Sequence, residues 1–182
     1  MIAAQAIRCS DAEVVVAGGM ESMSLAPHYL PKSRWGHRMG STVIMDHMLH
    51  DGLWDVVNDF HMGMSNEHIC EKWQVNREDQ DRFAEESYRR AIKSVKAGVF
   101  VDEIVPVPIP KRGGEVDFFD TDECPTETSF ESLQKMRTAF KKDGVGTAGN
   151  ASIISDGAAA VVIMSREKAE ELEKKGATWC AS

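Results

Sequence analysis

The stretch from Thr147 to Met164 constrains the fold more than any other. A tight polar turn there is followed at once by tiny residues and then by an apolar run. Gly149 and Gly157 let the backbone bend or approach another segment closely. Asn150, Ser152, Ser155 and Asp156 crowd polar groups into the bend. Ala158 to Met164 reads as a strand covered on both faces. A near twin, Val14-Val15-Val16-Ala17-Gly18-Gly19, stands early in the chain. Two apolar strands, each flanked by a Gly/Ser-rich turn, point to neighbours in one α/β sheet with polar loops at an edge, where ligands bind in such sheets.

Between the two strands the chain predicts something different. Met1 to Arg8 is helical in composition and has no N-cap before it. Gly18 to Gly40 is a loop holding a basic knot, Lys32 to Arg38, in a chain of net charge −8. Thr42 to Leu49 predicts a short helix. Met62 to Trp73 predicts a second, with Met62, Ile69, Cys70 and Trp73 inward. Asn76 is an N-cap for a third, with Glu78, Asp79 and Asp81 in its positive first turn. Phe83, Ala84, Ser87, Tyr88, Ala91, Ile92 and Val95 keep its three-four spacing, and Gly98 ends it. Val107 to Pro110 is extended and confined to an edge by its prolines. Lys111 to Glu115 turns it back onto Val116 to Phe119. Ser129 caps a short helix over Phe130 to Met136, and Glu167 to Lys175 is a charged helix ended by Gly176. The division is then a sheet part, 1–24 and 145–176, around an inserted, mainly helical part, 25–144, with 177–182 as a tail. Strands 14–17 and 158–164 lack further sheet neighbours in this sequence, so the chain alone should associate or expose an apolar patch.

Charge and composition narrow the function. The negative balance argues against nucleic acid, whose binding rests on clustered Lys and Arg. No apolar run approaches the roughly 20 residues of a membrane-spanning helix. Cys9, Cys70, Cys124 and Cys180 lie far apart without a CxxC, which reads as reduced thiols in a cytoplasmic setting. His47, His50, His61 and His68 lack the compact spacing of a zinc site, so no metal is expected. Gly144 to Gly149 spells GxGxxG, but no apolar strand leads into it and no periodic helix follows, so a dinucleotide turn is not expected. Cys9 stands beside Arg8 at a helix end and reads as structural rather than as a nucleophile.

Several segments together carry a family resemblance. Gly18-Gly19-Met20-Glu21-Ser22-Met23-Ser24, Thr147-Ala148-Gly149-Asn150-Ala151-Ser152 with Asp156-Gly157-Ala158-Ala159-Ala160, the helix wording from Asn76 to Ala84, and Asp102-Glu103-Ile104-Val105-Pro106 resemble the thiolases, the acetyl-CoA acetyltransferase group. The likeness runs from about Ala3 to Lys175 and covers less than half of a typical member. It implies an α/β fold: the last strands of an N-terminal sheet domain, incomplete here, with the family's loop domain inserted.

The resemblance implies acyl transfer between CoA thioesters, forming or cleaving a 3-ketoacyl-CoA of the acetoacetyl-CoA type. A thiolate takes the acyl group, and a second acyl-CoA deprotonated at its α-carbon attacks it. The Cys-Gly-Ser/Ala-Gly turn that carries the family's nucleophile is not among these residues. Nor are the Asn-Glu-Ala-Phe, Gly-His-Pro and Cys-x-Gly-Gly-Gly segments, so no catalytic residue is assigned and no turnover is expected of the chain alone. No cofactor is expected beyond the CoA thioester as substrate. Leu53, His61, Met62, Phe140, Ala148 and Ser152 match positions lining pantetheine and thioester, and Ser132 matches one nearer the nucleotide. In the basic loop, Arg34 to Arg38 match the segment through which thiolase dimers pair into tetramers, implying a homo-oligomer for the full-length protein. A non-catalytic CoA-binding or assembly module is the alternative. Three departures stand out: Cys124 where the family often has arginine, Ile153 where it has a small residue, and Gly146 where it has a branched one.

Overall fold

The computed structural model describes residues 1–178; Cys180 and the rest of the tail beyond Thr178 lie outside the described residues. Its elements in chain order are α1 (Ile2–Arg8), β1 (Val14–Ser22), β2 (His28–Tyr29), β3 (Met45–Asp46), β4 (Trp54–Asp55), β5 (Phe60–His61), α2 (Met62–Trp73), α3 (Arg77–Lys96), β6 (Val107–Pro110), β7 (Val116–Phe119), α4 (Phe130–Gln134), β8 (Asp156–Met164) and α5 (Arg166–Lys174). They fall into two units, Met1–Leu25 with Ser155 onward, and Ala26–Ile154. The segment 145–154, grouped from sequence with the strands, clusters with the second unit.

The first unit is built on an antiparallel ribbon. β1 pairs with β8 along its full length, Val14 opposite Met164 and Ser22 opposite Asp156. The strand thus runs past Ala17, through both glycines, to Ser22. At Gly18 a side chain is excluded, because a Cβ there would lie 2.6 Å from the Ala159 carbonyl oxygen. Helix α1 packs on both strands. The expectation of a strand covered on both faces is not met: Val161 and Val162 are 58% and 57% exposed. Among the described residues β1 and β8 form a sheet of two strands, and one short helix is too small to cover it. Val16 and Met20 are exposed on the partner strand as well.

The open end of the ribbon is tied by Asp156. Its carboxylate accepts the Ser24 N–H at 2.9 Å and the Ser24 hydroxyl. These bonds, the hydroxyl foremost and the backbone N–H next, hold its pKa below the usual carboxylate range. A group shifted this way contributes stability fully present above its unfolded pKa, about 4 for aspartate, and lost as pH falls through the lower folded value. The carboxyl titration of Asp156, followed by NMR, should therefore move up toward the ordinary range in Ser24→Ala. An unmoved titration would show that the clamp does not set it.

The second unit rests on α2, α3 and α4, with short two-stranded ribbons and a hairpin around them, so it is less helical than its sequence suggests. The hairpin is β6–β7, antiparallel, Val107 opposite Phe119. Asn76 caps α3, its side-chain oxygen accepting the Asp79 N–H at 2.9 Å, and Gly98 follows the helix at φ +68°. Ser129 caps α4 in a reciprocal box with Ser132. Helix α4 docks on α3 through Glu85, whose carboxylate accepts the Phe130 N–H at 2.9 Å, and through Arg82, 4.3 Å above the Phe130 ring.

Two sequence expectations fail here for identifiable reasons. The helix expected at Thr42 to Leu49 is instead strand β3 and a single wide turn, Met48–Gly52, closed by Leu53 N–H to Met48 carbonyl at 3.1 Å. The β-branched Val43 and Ile44 favour extended backbone. Asp46 then starts the turn late, accepting the Met48 and Leu49 N–H groups. Nor is the inward face of α2 the apolar one. Ile69 and Trp73 are exposed and Met62 is 39% exposed, while Gly63, Glu67 and Cys70 are buried. Likewise Phe83 and Ser87 on α3 are exposed and Asp81 is fully buried. Buried carboxylates, not apolar stripes, mark the inner faces of both helices. No helix among the described residues is long and apolar enough to cross a membrane.

Candidate functional site

The turn from Gly144 to Ser152 is held by those two carboxylates. Glu67 reaches from α2 and accepts the Val145 N–H (3.0 and 3.1 Å) and the Gly146 N–H (2.8 Å). The GxGxxG backbone is thus an anion cradle already filled by the protein's own carboxylate, which explains why the motif here is not a dinucleotide turn. A Cβ at Gly146 would lie 3.0 Å from the Phe140 ring and 3.1 Å from Glu67, so a branched residue there needs both side chains to give by a few tenths of an ångström. Gly149 is tighter: a Cβ would meet Leu133 at 2.5 Å and Met136 at 2.6 Å, and these side chains would have to shift.

Thr147 is fully buried at the centre of the turn. Its N–H donates to Asn150 Oδ1 at 2.7 Å, and its hydroxyl accepts the Gly149 and Asn150 N–H groups, each at 3.3 Å. The Asn150 amide nitrogen donates to Val145 O at 3.1 Å and to Asp81 Oδ1 at 2.9 Å. Asp81 Oδ2 in turn accepts Arg77 Nε at 2.6 Å and Gln134 Nε2 at 2.7 Å. Arg77 continues to the Leu133 and Met136 carbonyls at 2.6 and 3.2 Å. Every polar group here has a partner, as burial demands.

Beside this turn stands a second group. His61 caps α2, its Nδ1 accepting the Gly63 N–H at 2.9 Å. The neutral ring then carries its proton on Nε2. The imidazole stacks on Phe140, centroids 5.3 Å apart and planes 18° apart. Met62 donates its N–H to the Leu53 carbonyl at 2.8 Å. The structure therefore brings Leu53, His61, Met62 and Phe140 into one neighbourhood, and Phe140 borders the turn at Gly146. Ala148 and Ser152 stand exposed on the turn itself. Ser132 is apart on α4, where its hydroxyl accepts the Ser129 N–H at 3.1 Å and donates to the Ser129 carbonyl at 2.7 Å.

A cavity of about 330 Å³ lies between α3 and the turn, lined by Phe83, Tyr88, Cys124, Asn150, Ser152 and Ile153 among others. Of the seven residues singled out from sequence, only Ser152 lines it. Two of the three departures from the family pattern, Cys124 and Ile153, line it as well. The thiols and histidines have other settings. Cys9 is exposed; burial and then Glu67 push the Cys70 thiol up, away from reactivity. His47 and His50 each lie against Asp51, and His68 lies against the Phe60 ring, tilted 56° to it. Among the described residues no three His, Cys, Asp or Glu side chains converge on a metal position. The sequence reading missed Glu67 and the buried role of Asp81; Asn150 was noticed only as one of several polar turn residues.

The profile of the thiolase N-terminal domain matches residues 1–167. An acetyl-CoA acetyltransferase of Pseudomonas aeruginosa is 54% identical over 172 residues, 94% of this chain and 44% of the relative. One of Chromobacterium violaceum is 53% identical over 175 residues, 96% of this chain and 45% of the relative. The solved acetyl-CoA acetyltransferase of Syntrophomonas wolfei superposes with a TM-score of 0.86 at 43% identity, covering 94% of this chain and 43% of that one. The chain thus spans less than half the length of the relatives it matches, and it belongs to the thiolase family.

Proposed function

We propose that these residues form the CoA-facing wall of an acetyl-CoA acetyltransferase, an acyl transferase working between CoA thioesters. The observation that carries this reading is identity above 50% to proteins of that name over nearly the whole chain. The geometry supports it. Pantetheine is a thin amide chain that suits apolar walls with a few directed hydrogen bonds. Leu53, Met62 and the Phe140 ring supply the apolar wall. His61, its Nδ1 occupied by the helix cap, presents Nε2–H as a donor to an amide carbonyl. Ala148 allows close approach, and Ser152 offers a hydroxyl at the cavity mouth. Ser132 stands toward the nucleotide end. The inserted loop domain of the family corresponds to the 26–154 unit, and its 34–38 segment, with Trp35 90% exposed, pairs subunits of the full assembly.

The chain alone binds the thioester without turning it over, because the reacting sulfurs and the oxyanion hole are not among the residues it matches. Titration calorimetry with CoA tests the binding. Heat with the wild-type chain that is lost in Ser152→Trp is the expected result. No heat in either, or equal heat in both, refutes the assignment. Cysteine-dependent thiolysis by the 182-residue chain would refute the division of labour.

A further inference from the structure

We infer that Asp81, although on a helix face remote in sequence from the proposed CoA wall, is a positioning residue for it, acting through the Asn150 amide. The inference deepens the CoA reading given above and rests on it for its functional half. Its physical basis is polarity. A carboxylate only accepts hydrogen bonds. Asp81 is therefore matched by three donors, Arg77 Nε, Gln134 Nε2 and Asn150 Nδ2. Because Asp81 faces Asn150 as an acceptor, the amide must present its nitrogen to Asp81. Its oxygen is then left facing the buried Thr147 N–H, and the same nitrogen reaches Val145 O. The orientation of one amide thus ties Asn150 back to Val145 and Thr147 and so closes the turn that carries Ala148 and leads into Ser152.

An isosteric amide cannot serve in place of Asp81. Suppose that in Asp81→Asn the introduced amide turns its oxygen to Arg77 and Gln134. Its NH2 then faces the Asn150 NH2. Asn150 must flip in response, aiming a donor at the Thr147 N–H and an oxygen at the Val145 carbonyl. If the introduced amide turns the other way, its NH2 meets the Arg77 and Gln134 donors. Either arrangement leaves two donors face to face in a buried site, where an unmet polar group is costly. Glu67 holds the Gly144 end of the turn independently, so the effect of Asp81 is expected at Thr147 to Ser152 rather than at Gly146.

The test uses Asp81→Asn, Asn150→Ala and a control, Ile92→Ala, which trims a half-buried side chain about three turns further along α3. Amide hydrogen exchange is read residue by residue on the full chain, together with CoA titration. Asp81→Asn and Asn150→Ala should each speed exchange at Thr147 by roughly ten- to a hundredfold, the consequence of one lost buried hydrogen bond. Ile92→Ala should lower the melting temperature without that local change. Where wild type binds CoA, the first two variants should weaken binding about tenfold or more and the control should not. Thr147 exchange in Asp81→Asn equal to wild type, or matched by Ile92→Ala, overturns the inference. A wild-type chain that gives no CoA heat, with Thr147 still released by Asp81→Asn, upholds the role of Asp81 in setting the turn and refutes the CoA reading instead.

Discussion

Replacing Arg77 by alanine will destabilise the 26–154 unit by about 3–5 kcal/mol, because it leaves a buried carboxylate without its cation. Arg77 Nε lies 2.6 Å from Asp81, whose side chain is fully buried, and the guanidinium also satisfies two α4 carbonyls. All three acceptors lose a donor in the variant. A thermal melt should show the loss as a drop of roughly 10–20 °C. A drop of only a degree or two would mean that water reaches Asp81 and that the network is not closed. Arg90→Ala provides the contrast. Its guanidinium pairs with Glu86 at 2.7 Å, the two side chains being 73% and 38% exposed, so the melt should barely move.

The second large effect is expected at Gly63. A Cβ built there falls inside the Phe140 ring, with Cε1 at 2.5 Å and two further ring atoms closer still. The ring cannot yield easily, since it is stacked on His61 on one side and neighbours Gly146 on another. Gly63→Ala should therefore cost roughly 3 kcal/mol, an overpacking penalty, and should shift the His61 ring resonances as Phe140 moves. In a Phe140→Ala background the same change should cost almost nothing. That coupling, measured as a double-mutant cycle, is the decisive observation. Equal costs in both backgrounds would exclude the ring as the obstacle.

The features that sequence made plain are those decided locally. Asn76 and Ser129 announce helix starts because a cap is a bond between neighbours in the chain, and both act as caps in the structure. Val107 to Phe119 announces a hairpin because its turn and its prolines lie within a few residues of one another. The burial of Glu67 and Asp81 was not legible. Asp81 reads as one of three acids at a helix N-terminus, and nothing nearby says that its partners stand at Gln134 and Asn150. Glu67 reads as a polar gap in an amphipathic pattern, although it faces backbone donors at Val145 and Gly146. The same limit explains α2, where the apolar residues point outward and the inner face is set by a carboxylate, a thiol and a glycine. The candidate wall was readable only through family wording. Its geometry depends on Phe140 meeting His61, a contact that no local pattern announces.

The register of β1 with β8 bears on how the molecule assembles. Ser22 opposite Asp156 closes a loop that holds all of residues 23–155. Bringing such distant ends together from a disordered chain costs roughly 4 kcal/mol of entropy before one pair bond is gained. Pairings of this high contact order form slowly. The backbone bonds of the helices in the inserted stretch close over only four residues, so those helices are expected to form early and the valine-rich strands to pair last.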